Sequence, residues 1–136
     1  MNQKKISLKE FTNKINNSSN KWTNIYNYLY SDNKNNKLSE YLINSYSYNL
    51  GTSNKNTEVG IVIDLSYSMT IDNQLIYLLY WYKKSHNSNS LDHFFTLAVQ
   101  NTSNEQIEEV SFIEDQEEVA LCLESMYNNI LRNTDN

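Results

Sequence analysis

The stretch from Glu58 to Lys84, EVGIVIDLSYSMTIDNQLIYLLYWYKK, constrains the fold more than any other part of the chain. It begins with the only continuous run rich in β-branched residues, in which Val59, Ile61 and Ile63 fall on one side of an extended backbone. β-branched residues at this density favour a pleated, half-buried strand. Apolar residues on both sides indicate a central strand with at least one covered face. We therefore predict a strand over 59–65.

A helix is predicted to follow this strand over 71–84. Thr70 or Asp72 can cap it, and apolar residues then recur at helical spacing, at Ile71, Leu75, Leu78, Leu79 and Tyr82. The opposite flank is aromatic rather than mixed in charge, with Tyr77, Tyr80, Trp81 and Lys84. The helix is therefore either buried on two sides or presents an aromatic flank to a partner.

The remaining elements are predicted from periodicity and capping signals. Ser7 and Glu10 fit a capping box at the start of a helix, and Asp115 can cap the last helix, with Glu117 and Glu118 in its first turn. Alternation of apolar and polar residues on either side of the turn 101–104 predicts a hairpin. The full prediction is helices over 8–16, 20–30 and 116–131, and strands over 42–49, 93–100 and 106–113.

These elements predict one α+β domain over 1–136. Its core, 38–136, has an antiparallel sheet of about four strands in the order ββα-ββα, with the helices on one face. Residues 1–37 form an N-terminal helical pair. Residues 38–50 suit a helix almost as well as a strand, and the short loop that follows them favours the strand.

Composition bears on the source and the compartment. The chain has 23 asparagines, one arginine and no proline, a bias typical of AT-rich genomes, and we expect a phage or plasmid of an AT-rich bacterium as its source. The start lacks the apolar segment of a signal peptide, and no apolar run is long enough to cross a membrane. A cytoplasmic protein that does not bind membranes is expected.

Charge is divided unevenly along the chain. Residues 1–57 hold eight lysines against three acids, whereas residues 58–136 hold thirteen acids against three basic residues. Half of all the acids lie between Glu105 and Glu124. Lysines near Trp22 allow contact with nucleic acid, but lysines without arginine are typical of a solvated face, so direct nucleic-acid binding is not expected.

Residues 62–69, VIDLSYSM, resemble the Asp-x-Ser-x-Ser motif of von Willebrand factor A domains. In that family the Asp and the two Ser help to hold a divalent cation, which suits oxygen ligands. The resemblance implies that Asp64, Ser66 and Ser68 could bind a metal. Tyr67 replaces the family's usual glycine, and no later segment supplies its other metal loops. We therefore expect Asp64 and Ser66 to shape a strand-to-helix turn, with no metal or other cofactor bound.

No catalytic constellation is visible. Cys122, the only cysteine, lies in an amphipathic pattern and is expected to be a core thiol, and His86 and His93 flank a polar loop without a carboxylate at ligand spacing. Paired-carboxylate catalysis needs a buried acid, whereas the acidic run lies on a hairpin and in a helix's first turn. We expect a binding protein rather than an enzyme.

The expected function is inhibition of another protein that has a basic surface. A host nucleic-acid-targeting defence enzyme such as a nuclease is the first candidate target. The alternatives are an immunity protein that neutralises a basic toxin and a metal-binding domain of the von Willebrand type. Carboxylates can complement a basic surface, and rigid aromatic side chains can anchor it. The predicted partner-binding residues are Glu105, Glu108, Glu109, Glu114, Asp115, Glu117, Glu118, Tyr77, Tyr80 and Trp81. The oligomeric state is left open.

Overall fold

The computed structural model describes residues 5–18, 21–26, 36–52, 57–85, 91–101, 103 and 105–134. Its helices are α1 (Leu8–Asn16), α2 (Asn36–Thr52) and α3 (Gln116–Thr134). A short 3-10 helix spans Ile63–Leu65. The strands are β1 (Lys5–Ile6), β2 (Thr23–Asn24), β3 (Thr57–Ile61), β4 (Tyr67–Ile71), β5 (Gln74–Ser85), β6 (Leu91–Asn101), β7 (Ile107–Glu109) and β8 (Ser111–Phe112).

A six-stranded antiparallel sheet forms the centre of the molecule, in the order β2-β4-β5-β6-β7 with β3 also paired to β5. β5 is the longest strand, and β4 and β3 lie one after the other along the same edge of it. β1 and β8 form a separate parallel pair. The predicted α+β class with a mainly antiparallel sheet is confirmed.

The two faces of the sheet are covered by different helices. β5 directs Ile76 and Leu78 into a core with α1 and α3, whereas its alternate residues Tyr77 and Leu79 enter a second core with α2. This alternation follows from the period of two residues along a strand. The expectation that the helices lie on one face is therefore wrong, because the sheet is the middle of three layers.

The predicted helix over 71–84 is wrong, because that segment is β5 together with the turn before it. Asp72 and Asn73 both have positive φ, 48° and 67°, and they connect the paired residues Ile71 and Gln74. Two residues with positive φ between paired strands are typical of a type I′ hairpin turn. Asp72 is therefore a turn residue rather than a helix cap. Both faces of β5 are buried, so most of its residues are apolar. Apolar residues therefore also occur at helical spacing, by chance.

Three other elements differ from prediction. Residues 42–49 lie within α2, so the strand expected there is wrong, and the order ββα-ββα is wrong with it. The strand expected over 59–65 ends at Ile61, where the backbone leaves the sheet. Residues 23–24 of the helix expected over 20–30 form β2. The part of that helix over 27–30 lies outside the described residues.

The local signals at both ends of the chain are confirmed. Ser7 is the N-cap of α1, and its side chain accepts a hydrogen bond from the Glu10 N–H. Asp115 accepts one from the Glu118 N–H at the start of α3. The hairpin of β6 and β7 is also confirmed, although the strand expected over 106–113 is interrupted at Val110 and divides into β7 and β8.

Candidate functional site

The predicted acidic surface is divided by the fold. In β7, Glu109 pairs with Ala98, which faces α2, and Glu108 pairs with Val99, which packs against the opposite core. The two carboxylates therefore extend from opposite faces of the sheet. Glu109 is exposed as a residue, and partial burial of its carboxyl raises its pKa. Burial also raises the pKa of Tyr41 to about 12, and the charge of Glu109 adds to that effect. Glu109 therefore belongs to the region around α2.

Glu114 and Asp115 both stabilise helix ends. The Glu114 Oε1 accepts a hydrogen bond of 2.9 Å from the Leu8 N–H at the start of α1. Asp115 caps α3. The adjacent β8 pairs with β1, which places Lys5 opposite Ser111, near this acidic segment.

Glu105 lies in the turn between β6 and β7. Its φ is 60°, and its backbone N–H donates to the Asn101 carbonyl at 2.7 Å. Its own carbonyl accepts a hydrogen bond from Gln100 Nε2. The side chain is exposed, but the contacts of Glu105 that the structure shows are those of a turn residue.

The remaining acids lie along α3. Glu117, Leu121, Glu124 and Asn128 are spaced at i, i+4, i+7 and i+11, so they form one row, which we call the outer face of α3. Leu121 is 66% exposed, and Ile113, in the turn before the helix, is 64% exposed. Between Gln116 and Leu131 the helix has no lysine or arginine. This face therefore combines negative charge with one exposed apolar side chain, that of Leu121.

The exposed aromatic flank expected at Tyr77, Tyr80 and Trp81 is wrong. Tyr77 and Trp81 are 0% and 1% exposed beneath α2. The Tyr77 hydroxyl donates to Gln100 Oε1 at 2.6 Å, and Trp81 Nε1 donates to Thr96 Oγ1 at 2.9 Å. Tyr80 lies on the opposite face of the sheet, half-buried against α3. The prediction failed because it placed these residues on a helix, where they would share one flank.

The fold brings His93 to a carboxylate that sequence spacing did not indicate. His93 Nε2 lies 3.0 Å from Glu124 Oε1, which joins β6 to the outer face of α3. The His93 ring stacks on Tyr80 with centroids 5.2 Å apart, and Tyr80 meets Phe95 edge to face at 5.1 Å. The partners are 31 residues apart, and the contact depends on how α3 packs against β6, which sequence spacing does not indicate.

A concave pocket of about 570 Å³ lies beside this cluster. Its walls include Tyr80, Tyr82 and His93 together with the charged residues Glu58, Lys84 and Asp92. Tyr82 lies across Gly60, where an added Cβ would be 2.5 Å from Tyr82 Cε2. Its hydroxyl donates to Glu58 Oε2 at 2.7 Å. Gly60 thus leaves room for the Tyr82 ring, and the hydroxyl positions the carboxylate.

The segment that resembles the metal motif forms a bulge between β3 and β4. Five residues separate Ile61 from Tyr67, whereas two separate their partners Trp81 and Leu78 on β5. Ser66 Oγ accepts a hydrogen bond from the Tyr80 N–H and donates one to the Val62 carbonyl. These two bonds replace backbone hydrogen bonds that are missing where the pairing of β5 is interrupted between β3 and β4. Asn24 Nδ2 lies within hydrogen-bonding distance of three carbonyls of the bulge.

These contacts give the motif a structural role. Asp64 is exposed, whereas Ser66 and Ser68 are both fully buried. The described residues contain no group of three or more His, Cys, Asp or Glu placed to hold a metal ion. The turn connects two strands rather than a strand and a helix, which corrects that part of the expectation.

Cys122 lies in a second depression, of about 380 Å³, between α1 and α3. Burial raises the pKa of its thiol, and the charges of Glu118 and Glu114 raise it further. A raised pKa keeps the sulfur protonated and weakly nucleophilic. Its surroundings therefore favour the structural role expected for this thiol.

Compared with protein families, with curated proteins and with solved structures, the chain matches none of them at a significant level. In the part of the chain that the structure describes, no helix has the length and apolar character required to span a membrane. Function is therefore inferred from the geometry of the surface and the pocket.

Proposed function

We propose that this protein is a binding module that inhibits another protein by covering a basic surface of it. The observation that carries the proposal is the outer face of α3, where Glu117 and Glu124 flank the exposed Leu121. Carboxylates on such a face attract a cationic partner over several ångströms, and a central apolar side chain excludes water once contact is made.

The contacts between basic side chains and carboxylates leave Glu117 and Glu118 without a cationic partner among the described residues. Among the described residues, the contacts between a basic side chain and a carboxylate are Lys14 with Asp72, at 3.7 Å, and His93 with Glu124, at 3.0 Å. The second involves Glu124 of the outer face, and neither includes Glu117 or Glu118. Exposed charges of one sign oppose compaction by mutual repulsion, so they favour solubility or a partner more than the fold itself. The exposed apolar side chain of Leu121 on the same face favours the partner.

The nature of the target follows from this complementarity. Enzymes that hold nucleic acid have cationic grooves, and a row of carboxylates can occupy positions that phosphates would take. We therefore propose a nucleic-acid-targeting defence enzyme as the target, with a mobile element as the source of the inhibitor. A basic toxin is the second candidate, because the same surface would complement it.

Site-specific photo-crosslinking tests the proposal. A photoreactive residue replaces Leu121 in one variant and Ile43 in another. Ile43 is a suitable control because it is 62% exposed and lies on α2, across the sheet. We expect an adduct with a basic protein from position 121, reduced by Glu117→Gln, and inhibition of that protein by the purified chain. Equal adducts from both positions, or an adduct partner that the chain does not inhibit, would contradict the proposal.

A further inference from the structure

We infer that the pocket beside Tyr80 and Tyr82 receives an arginine side chain from the partner. The inference rests on the proposed function for the source of that arginine, and it adds a specific recognition site to the outer face of α3. The two regions are continuous, because Glu124 of the outer face contacts His93 in the pocket wall.

The aromatic and acidic lining of the pocket suits a cationic group. Its volume of about 570 Å³ is that of a small-ligand site. Tyr80 and Tyr82 are alternate residues of β5, so both rings extend from the same face of the sheet. A guanidinium stacks on aromatic rings and is more weakly hydrated than an ammonium, so it loses less on entering such a site.

The charges favour a cation over an anion. Glu58 lines the pocket and Glu124 adjoins it, whereas Lys84, the cross-strand partner of Glu58, is the one lysine in the lining. Asp92 also lines the pocket, but it pairs with Lys83, so its side chain extends from the opposite face of the sheet. Glu58 is positioned by the Tyr82 hydroxyl through Oε2, which leaves Oε1 to accept from a guanidinium. The apolar side chains of Val62, Leu65 and Leu91 can contact the aliphatic stem of the arginine.

The test uses small probes and does not require the natural partner. Acetyl-Gly-Arg-Gly-amide is titrated into the full chain, and the aromatic signals of Tyr80, Tyr82 and His93 are followed by NMR. The citrulline peptide is the matched neutral probe, because it keeps the shape of arginine without its charge. We expect saturable shifts from the arginine peptide, with a dissociation constant of about 1 mM, and weaker binding of citrulline.

Two charge-neutralising variants provide the control. Glu58→Gln keeps an oxygen that can accept from the Tyr82 hydroxyl, so the fold should be retained, and the affinity should fall about fivefold, as expected for one half-exposed ion pair. Glu108→Gln removes the same charge at β7, outside the pocket lining, and should bind the peptide as wild type does.

The outcomes separate this inference from the proposed function. The inference is overturned if the arginine peptide shows no saturable shifts, if citrulline binds equally well, or if Glu58→Gln and Glu108→Gln weaken binding alike. Saturation of the pocket with unchanged binding of a partner by outer-face variants would retain the inference and contradict the proposed function. Loss of partner binding in the outer-face variants, together with no binding of the arginine peptide, would support the proposed function and overturn the inference.

Discussion

The Glu114 carboxylate accepts a hydrogen bond from the backbone N–H of Leu8, 2.9 Å away and 106 residues earlier in the chain. Ser7 caps the same helix through the Glu10 N–H, so two side chains satisfy donors at the first turn of α1. The Ile113 N–H also donates to the Ile6 carbonyl. These contacts fix the N-terminal segment against the start of α3.

Glu114→Ala is expected to destabilise the protein by about 1 kcal/mol, because the Leu8 N–H loses its charged acceptor. Glu114→Gln keeps an acceptor and should lose less. Denaturant unfolding measures both differences. The amides of α1 should also exchange faster with solvent in the Ala variant. Equal stability of wild type and Glu114→Ala would show that the contact contributes nothing.

Sequence signals that involve residues within one helical turn of each other predicted the structure correctly. The caps at Ser7 and Asp115 depend on side chains three residues from their donors, and both were found correctly. The role of Glu114 could not be predicted, because its partner is defined only by the pairing of β1 with β8. The same limit applies to the contact of His93 with Glu124.

The large error at β5 has a different cause. When a strand is buried on both faces, nearly every residue is apolar, and any subset at helical spacing is then apolar too. The residues that could have distinguished the structures were Asp72 and Asn73, which suit a type I′ turn. The partner-binding roles of Tyr77 and Trp81 depended on the helix and failed with it.

The two buried serines of the bulge and β4 should respond oppositely to alanine. Ser66 makes two hydrogen bonds across the interrupted ladder, whereas Ser68 Oγ is buried without a partner among the described residues. Ser66→Ala should cost about 1 to 3 kcal/mol, because the Tyr80 N–H is left unsatisfied. Ser68→Ala should be neutral or stabilising. Calorimetric unfolding of both variants checks this, and a larger loss at Ser68 would contradict it.

Gly60→Ala should destabilise the sheet by displacing Tyr82. The new Cβ would approach Tyr82 Cε2 to 2.5 Å, so the ring must move and the hydrogen bond to Glu58 is lost. We expect a cost of about 1 to 3 kcal/mol. In a Tyr82→Ala background the same substitution should cost much less, and a double-mutant cycle measures the difference. An equal cost in both backgrounds would show that the destabilisation does not come from contact with Tyr82.

Stability should depend on pH through Glu109. Burial raises the pKa of this carboxyl above its ordinary value of 4.5, so the folded state holds the proton longer than the unfolded state. Its stabilising contribution is therefore present below the unfolded pKa and is lost as pH rises through the folded pKa. Glu109→Gln should be more stable than wild type at neutral pH, and the difference should shrink below about pH 4.5.

A second measurement tests whether the charge of Glu109 acts on Tyr41. The Tyr41 pKa is raised to about 12, chiefly by burial and then by the charge of Glu109. Glu109→Gln should lower the Tyr41 pKa without restoring its ordinary value, because the burial remains. NMR of ring-labelled tyrosine follows the titration. An unchanged Tyr41 pKa would show that the two side chains do not interact.

The central claim is that the outer face of α3 binds a basic protein. The most direct test is the rate of association with the crosslinked partner, measured by stopped flow across salt concentrations. Glu117→Gln should slow association at low salt, and the difference should vanish as salt screens the charge. Leu121→Ala should instead speed dissociation, with Ile43→Ala as the control at wild-type rates. Wild-type rates for all of these variants at every salt concentration would contradict the claim.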